Sequence, residues 1–282
     1  MSFDYEPPID YSRYEGLKLS FANGIATVTL SNPGKKNAVT PTMSRELTTV
    51  WEDLWRDSAV RVIILTGDGD AFCSGVDISQ QTARQVELAD TEAGAKPVRT
   101  LNSTTRHARK HVMSILECEK PVLAKVRGPA YGMGCNMALA CDMVFVSESA
   151  MLCDSHVKIG LVAGDGGVLL WPLAVGIHRA KEYLMTGAPV PAKVAENIGL
   201  VNRCLPDDEL DAHVQKMAET LRDLPPHAVN YTKASLNIAL KQMTQSAFEA
   251  SVAYEIYTME MEDHREAGTA FVQKRKGNFT GN

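Results

Sequence analysis

The sequence predicts an α/β fold in which short strands alternate with helices in a spiral, followed by a C-terminal module built of helices. Two observations carry this prediction. Apolar strands, each leading through a turn into a helix, recur along residues 1–206. From residue 207 onward, the apolar side chains recur at helical spacing alone. We therefore divide the chain into a core of residues 1–206 and a helical module of residues 207–282.

The first unit begins with a predicted hairpin. Residues 17–30 contain two alternating apolar runs around Asn23-Gly24, a dipeptide that favours a tight two-residue turn. Thr40 is placed to cap a helix that begins at Pro41 and continues through apolar residues at helical spacing to Leu54. The β-branched run at 60–67 then predicts a buried strand.

Two more units complete the predicted core. The polar, weakly periodic segment 78–112 is expected to form a partly helical excursion on the surface. A buried strand at 121–128 leads through a glycine-bearing turn into a helix around residues 136–141. The remaining core elements are a strand at 143–149, a turn-rich stretch at 151–167, an apolar helix at 168–176 and a closing segment at 200–206.

The C-terminal module is expected to contain three helices, because its apolar periodicity is interrupted twice. These helices cover residues 207–224, 227–243 and 246–276.

Composition argues against several classes of partner. With a formal net charge of −5 and a pI near 5.8, the chain has no overall attraction for nucleic acid or anionic membranes, and we expect neither as a partner. The six cysteines show no CxxC pair or zinc-like histidine spacing, so we interpret them as reduced core residues and expect no metal. Because no signal sequence or long apolar run is evident, a cytoplasmic protein is predicted.

Two turns have the composition of an anion-binding site. Residues 73–77 and 132–136 each place small residues where a strand ends and a helix begins. Backbone N–H groups in the first turn of a helix have no internal partner, so two such turns that converge would hold a developing oxyanion. The alternative is that these glycines only permit tight packing.

Five stretches resemble the crotonase (enoyl-CoA hydratase/isomerase) superfamily in order and spacing. They are residues 32–40, 60–79, 120–150, 160–167 and 271–279, and the resemblance covers roughly residues 15–278. It implies a crotonase-like spiral of β-β-α repeats and a C-terminal helical trimerisation module, with assembly into homotrimers or hexamers. It also implies acyl-CoA thioester substrates and no cofactor beyond the coenzyme A of the substrate.

The resemblance also assigns binding residues. It places the two oxyanion-hole N–H groups on Val76 and Met133, whose side chain is expected to shape the acyl pocket. Lys274 matches a phosphate-binding lysine that a neighbouring subunit often supplies, although a basic helix end in solvent explains it equally. The full predicted set for substrate and coenzyme A is Lys36, Asn37, Ala38, Ser74, Gly75, Asp77, Ile78, Gly132, Gly134 and Lys274.

The sequence departs from the family where hydratases carry two glutamates, because Asn136 and His156 occupy those positions. An amide cannot exchange protons near neutral pH, so a two-glutamate hydration mechanism is not expected. His156 titrates near neutrality, and Asp165, nine residues later, could orient it, move a second proton or attack an acyl centre. This His–Asp spacing resembles the diketone-hydrolase branch. The alternative is a structural histidine and an aspartate that caps the next helix.

These residues predict an enoyl-CoA hydratase/isomerase-like lyase of fatty acid metabolism. It would stabilise a thioester enolate at Val76 and Met133 and move protons with His156 and Asp165. Asn136 is a further candidate catalytic residue, which only hydrogen-bonds the substrate in the rival reactions, where Asp165 and His156 activate water. The rival reactions are hydrolysis of a C–C bond or of the thioester, and a non-catalytic CoA-binding subunit is the third possibility. Glu255 is a further candidate for the acyl pocket but stays outside the predicted site.

Overall fold

A computed structural model describes residues 9–77 and 98–282, with the side chains of residues 98–106 and 243–246 outside the description. Mixed strands and helices are followed by a helical C-terminal region, as predicted. The strands are β1 (Leu17–Ala22), β2 (Ile25–Leu30), β3 (Val62–Gly67), β4 (Val122–Val126), β5 (Pro129–Tyr131), β6 (Met143–Ser147), β7 (Met151–Cys153), β8 (Val190–Pro191) and β9 (Arg203–Leu205).

Helices cover the sheets and form the C-terminal region. Within the described ranges they are α1 (Pro41–Glu46), α2 (Val50–Arg56), α3 (Val98–Glu117), α4 (Met133–Ala140), α5 (Gly167–Val175), α6 (Ile177–Thr186), α7 (Ala192–Asn197), α8 (Leu210–Asp223), α9 (Pro226–Met259) and α10 (Glu262–Val272), with 3-10 turns at Tyr11–Arg13 and His156–Ile159.

The larger sheet has the strand order β1-β2-β3-β4-β6-β9. Strands β1 and β2 form the predicted antiparallel hairpin, and Asn23 and Gly24 both adopt positive φ in its turn. The other neighbouring strands are parallel. Because parallel strands end at the same edge, the turns that follow them lie close together.

A second sheet of order β5-β7-β8 was not predicted. The sequence analysis placed only a glycine-bearing turn at β5 and a turn-rich stretch at β7. These strands are two or three residues long, too short for an alternating pattern to be visible. Their pairing is nevertheless important, because β5 and β7 lead directly into the candidate site.

The first predicted helix is present but divided. Thr40 caps α1 as expected, accepting a hydrogen bond from the Met43 N–H at 3.2 Å, and Pro41 is the first helical residue. Residues 47–49 then form a turn before α2 begins. The prediction of one continuous helix is therefore wrong, although apolar residues of both helices enter the core.

The prediction for segment 78–112 is partly wrong. Residues 78–97 lie outside the described residues, but 98–112 belong to the helix α3. His111 and Val112 are buried, so the end of this segment reaches the interior instead of remaining on the surface. Helix α3 packs against α4 and α9.

The C-terminal helices differ from the prediction in where they break. Helix α9 runs unbroken for 34 residues through the expected interruption at 244–245, which contains neither proline nor glycine. The break falls instead at Glu260 and Met261, because the backbone of Met261 is extended. Packing of α9 against α3 and α5 supports the long helix. The division of the chain at residue 207 stays a prediction.

The core lies on both faces of the larger sheet. Ile63 and Leu65 of β3 face the main core, whereas Val62 and Ile64 face a smaller cluster covered by α8. Five cysteines are buried, Cys204 is half-buried, and all six are free thiols. No helix in the described part of the chain is long and apolar enough to cross a bilayer.

Candidate active site

The two glycine-bearing turns of the sequence analysis lie against each other. The Tyr131 N–H donates to the Cys73 carbonyl at 2.8 Å, and Cys73 also forms a bridge with Ala130. Gly75 has a φ of 85°, and a β-carbon added there would lie 3.0 Å from the Tyr131 carbonyl oxygen. The turn after β3 and the turn after β5 are therefore in direct contact.

Val76 and Met133 follow those turns directly. Met133 is the first residue of α4, where the N–H group has no partner within the helix. Among the described residues, no hydrogen-bond acceptor is found for the N–H of Val76 or of Met133. The Met133 side chain is buried, whereas that of Val76 is 47% exposed. Both N–H groups are thus available to a ligand.

His156 lies between two carboxylates. Its Nδ1 is 2.7 Å from Asp154 Oδ1, and its Nε2 is 3.3 Å from Asp165 Oδ2. All three side chains are buried. Strand β7 ends just before Asp154, and Asp165 lies in the turn that leads into α5, so two elements converge on one imidazole.

Asn136 joins the two carboxylates from α4. Its Nδ2 donates to Asp154 Oδ2 at 3.0 Å and to Asp165 Oδ1 at 2.7 Å. A β-carbon on Gly132 would lie 3.7 Å from His156 Cε1, so the second glycine turn borders this cluster. The structure therefore brings the predicted residues Asn136, His156 and Asp165 together beside Met133.

Electrostatics make this cluster an ion pair. Burial alone would lower the pKa of His156, but the carboxylates of Asp165 and Asp154 outweigh it and raise that pKa well above its ordinary value. Burial alone would raise the pKa of Asp165, but His156 and Asn136 hold it below the usual range. The imidazole is therefore protonated and the Asp165 carboxyl is ionised at neutral pH.

Glu255 and His111 complete the surroundings of Asp165. Burial, followed by the nearby Asp165 carboxylate, raises the pKa of Glu255 to about 8, so this side chain is mostly a neutral acid at pH 7. Burial lowers the pKa of His111 to about 4, so its ring is neutral. The Glu255 Oε2 lies against Gly164, where an added β-carbon would be 2.6 Å away.

Sequence reasoning missed three of these residues. Asp154 lies two positions before His156, and an aspartate at the end of a short strand was the available signal. His111 stands in a segment interpreted as surface, and no pattern marked it. Glu255 was noted but left outside the predicted site, because the apolar pattern of the predicted helix 246–276 does not show which of its faces is buried.

Asp154, His156 and Asp165 also have the residue types of a metal site, with one ligand atom from each within 4.8 Å of the others. The arrangement does not favour a shared ion, because the two carboxylates contact opposite nitrogens of the ring. A single ion could use only one of those nitrogens. The hydrogen-bonded imidazolium is the simpler interpretation.

The predicted coenzyme A residues lie around the first turn, and several have structural roles of their own. Asn37 is buried and donates to the carbonyls of Asp68 and Ala71 at 2.9 and 2.8 Å. Gly134 permits close packing, since a β-carbon there would be 2.6 Å from the Cys73 carbonyl oxygen. For Gly134 the packing alternative therefore has direct support.

Of the remaining predicted residues of this region, Lys36 is exposed, Ser74 and Asp77 are half-buried, and Ala38 is buried. The exposed Lys36 has a positive φ and lies 3.8 Å from Asp70, and Ala38 is buried beside it. Ser74 donates to the Lys35 carbonyl at 3.1 Å, and Asp77 pairs with the Lys35 ammonium at 3.6 Å. Ile78 lies outside the described residues.

Lys274 is exposed at the end of α10. Its neighbour Arg275 pairs with Glu266 at 2.8 Å and holds the pKa of that carboxyl at about 2. No ion pair joins Lys274 to any described side chain. Its ammonium is therefore available to a ligand.

Comparisons with known proteins agree on one family. A family model for enoyl-CoA hydratase/isomerase matches residues 20–282. A putative enoyl-CoA hydratase of Thermus thermophilus is 34% identical over 256 residues, covering 90% of this chain and 97% of that protein. A short-chain-enoyl-CoA hydratase of Clostridium acetobutylicum is 32% identical over 255 residues, covering 89% and 92%. A crystal structure of an enoyl-CoA hydratase/isomerase from Mycobacterium paratuberculosis has a TM-score of 0.82 at 32% identity, covering 90% and 97%.

Proposed function

Since the chain belongs to the enoyl-CoA hydratase/isomerase family, we propose that it stabilises an acyl-CoA thioester enolate and moves protons with His156 and Asp165. The predicted superfamily and its crotonase-like fold are confirmed by the same comparisons. The observation that carries the proposal is the buried imidazole held between two carboxylates beside the Gly132 turn.

The oxyanion would be held by the N–H groups of Val76 and Met133. Support comes from the contact between their two turns and from the lack of any acceptor for either group among the described residues. Donors fixed in this way stabilise developing charge by ~3–4 kcal/mol each in other enzymes. Only the main chain of Met133 is needed, so its long side chain does not conflict with this role.

The proton steps would pass through the His156–Asp165 pair. In an isomerisation, Asp165 would take a proton from the carbon next to the thioester carbonyl, and the electron pair would move onto the oxyanion. The protonated acid would then return that proton to a different carbon. In a hydration, Asp165 would take a proton from the attacking water, and His156 would protonate the carbon next to the carbonyl.

Replacement of the usual hydratase glutamates shapes this proposal. Asn136 donates to both carboxylates, so it would fix their positions and would not transfer a proton. The exchangeable protons are on His156 and Glu255. A hydration by this chain, which would make it a lyase, therefore depends on the histidine.

A second candidate, hydrolysis of a C–C or thioester bond, is favoured by the contact of Asp154 with His156 Nδ1. A buried carboxylate that orients an imidazole is a common arrangement in hydrolytic sites. Here the ionised Asp165 would take the proton from water, and the protonated imidazole of His156 would give its proton to the leaving group. Mass spectrometry of the products separates the candidates: hydration retains the thioester, whereas hydrolysis yields free coenzyme A or a ring-opened acid.

Assembly into trimers or hexamers remains part of the proposal. Large apolar side chains of α9 and α10 are exposed in the single chain, among them Tyr254, Tyr257 and Phe271. Burying them against other copies would remove this apolar surface from water. Sedimentation of the purified protein tests the assembly.

The first test is the loss of enoyl-thioester absorbance when the protein is added to crotonyl-CoA. Replacing His156 by Ala should lower turnover by at least ~10²-fold if the imidazole transfers a proton. His178→Ala is the matched control, because His178 is exposed on α6. Unchanged turnover in His156→Ala would sink the assignment.

Wild-type protein that leaves crotonyl-CoA unchanged would direct the search to larger and cyclic acyl-CoA thioesters. Binding without turnover across such a panel would favour a CoA-binding subunit instead.

A further inference from the structure

Three buried polar atoms around Asp165 have no hydrogen-bond partner among the described residues. They are Asn136 Oδ1, His111 Nδ1 and Glu255 Oε2. Asn136 donates to Asp165, while His111 and Glu255 are close enough for its charge to act on their pKa values. They come from three helices, α4, α3 and α9, that meet the turn before α5.

The bonds already formed by Asn136 and His111 define what each free atom can do. Asn136 directs its Nδ2 at two carboxylates, so its free Oδ1 is an acceptor. The Nε2 of His111 contacts both the carbonyl and the Oγ of Ser44 at 3.1 Å; the hydroxyl can donate or accept, but the carbonyl only accepts. Nε2 must therefore carry the hydrogen of this neutral ring, which leaves Nδ1 with a lone pair.

Glu255 adds a group of variable character. As a neutral acid near pH 7, its carboxyl can donate through one oxygen and accept through the other. The site therefore presents two fixed acceptors and one acid around the catalytic aspartate. A ligand group that completes this set must supply a hydrogen-bond donor.

Leaving these atoms unpaired is costly, because burial removes their hydrogen bonds to water and supplies none in return. Some other buried polar groups, among them Asn37 and Lys233, are satisfied by the protein itself, whereas Trp51 Nε1, Trp171 Nε1 and His213 Nε2 also lack a partner among the described residues. Asn37 donates from Nδ2 to two carbonyls, and Lys233 has three acceptors. Three unpaired atoms around one residue therefore indicate a partner that the described residues do not supply, and a bound substrate can supply it.

We infer that the acyl group of the substrate carries its own hydroxyl, which donates its single hydrogen to His111 Nδ1, beside Asn136 Oδ1, and accepts a hydrogen bond from the Glu255 carboxyl. This inference rests on the proposed function and names its substrate class, a hydroxylated acyl-CoA thioester. A plain hydrocarbon chain would bury the same atoms without satisfying them. A reacting water has the same donor chemistry, and a matched pair of substrates distinguishes the two sources.

The pair consists of two enoyl-CoA thioesters of equal length, one with a hydroxyl on a carbon beyond the double bond. Wild-type kcat/KM should be at least about 10-fold higher for the hydroxylated member, because a site built around a hydroxyl rejects the analogue that lacks it. Equal values would overturn the inference and identify water as the donor, while the proposed function would stand.

His111→Leu should bring the ratio close to one, because the hydroxyl loses the acceptor that distinguishes it from the plain chain. His111→Asn is the matched control, because its Oδ1 restores an acceptor near the position of Nδ1 and should retain most of the preference. A preference that survives in His111→Leu would overturn the role of His111.

The binding of the same two thioesters to the wild-type protein can also be measured by calorimetry. This test depends neither on turnover nor on whether a variant folds. Tighter binding of the hydroxylated member by about 10-fold supports the inference, and equal binding overturns it. If both members bind and neither is turned over, the proposed reaction fails while the recognition of a hydroxyl is still decided.

Discussion

Helix α9 contributes to two buried clusters of charged side chains that differ in how completely their hydrogen bonds are satisfied. Lys233, near its N-terminal end, belongs to an anchor cluster with Lys120 and Asp142. Glu255, near its C-terminal end, faces a site cluster formed by Asp154, His156, Asp165 and Asn136. One helix thus supplies a buried cation to one cluster and a buried acid to the other.

In the anchor cluster, the ammonium groups and the ion-paired carboxylate oxygen have partners. The Lys233 ammonium pairs with Asp142 Oδ2 at 2.7 Å and donates to the carbonyls of Lys120 and Ile115 at 2.9 and 3.4 Å. The Val122 N–H donates to the same Asp142 oxygen at 2.7 Å. The Lys120 ammonium donates in turn to the Leu54 carbonyl at 2.8 Å.

The site cluster has strong internal hydrogen bonds, yet Asn136, His111 and Glu255 keep atoms that the described residues do not satisfy. A complete network contributes to stability and has nothing left to offer a ligand. In an incomplete network, the fold holds the side chains in place, and a bound substrate can supply the missing hydrogen bonds. This difference separates a structural cluster from a candidate active site when both are buried and charged.

The largest expected effect comes from breaking the anchor. Lys233→Met leaves the Asp142 carboxylate without its cation, and the two side chains are only 6% and 20% exposed in the native protein. The free energy of unfolding should fall by about 3 kcal/mol, measured by urea denaturation. Turnover per folded molecule should not change, because no atom of this cluster reaches the site cluster.

The double variant Lys233→Met, Asp142→Asn is the control. It should recover part of the lost stability, because the uncompensated charge is gone. A loss of turnover with stability intact in Lys233→Met would contradict the separation of the two clusters.

A smaller effect is expected from Asp154→Asn, which removes one carboxylate from the site cluster. The charge-assisted hydrogen bond to His156 Nδ1 is lost, so turnover should fall by about 10-fold to 100-fold. Because Asp154 raises the pKa of His156, the variant should lower that pKa. Any activity that needs the protonated imidazole should therefore fall away at lower pH than in the wild type.

The measurement is kcat/KM as a function of pH, with Asp142→Asn as the matched aspartate control. The control should lose stability and keep the wild-type pH profile. An unshifted profile in Asp154→Asn would show that this carboxylate does not tune His156.

Much of the fold was predictable because its longer elements have periodic patterns. The hairpin at Asn23-Gly24, the Thr40 cap and the buried strand β3 follow from local chemistry, and the structure has all three. The second sheet was not predictable, since strands of two or three residues have no visible period. Its strands depend on pairing with residues distant in sequence.

The site was predictable only in part for the same reason. The spacing of His156 and Asp165 within one turn-rich stretch made them visible as a pair. Asn136 became a candidate because it occupies a position where the family carries glutamate. His111 lies 45 positions before His156 in the sequence, and Glu255 is still farther from it. No local pattern could therefore connect either residue to the cluster.

A pH-dependent effect on stability is expected from Glu255→Gln, which sharpens the contrast between the two ends of α9. Native Glu255 has its pKa raised from the ordinary 4.5 to about 8. Between these values the folded protein keeps a proton that the unfolded chain has released, so wild-type stability falls as pH rises through this window. Below about pH 4.5 the contribution is fully favourable, and above about pH 8 the penalty of burying the charge is complete.

Glutamine resembles the protonated acid and does not titrate, so the variant should lack this slope. Its unfolding free energy should match the wild type near pH 4, exceed it increasingly from about pH 5 to pH 8, and stay above it by a constant amount at higher pH, measured by urea denaturation at each pH. Parallel curves would mean that Glu255 is already ionised at neutral pH and is stabilised by His156. The site cluster would then contain no neutral acid, and only its unpaired hydrogen-bond acceptors would distinguish it from the anchor cluster.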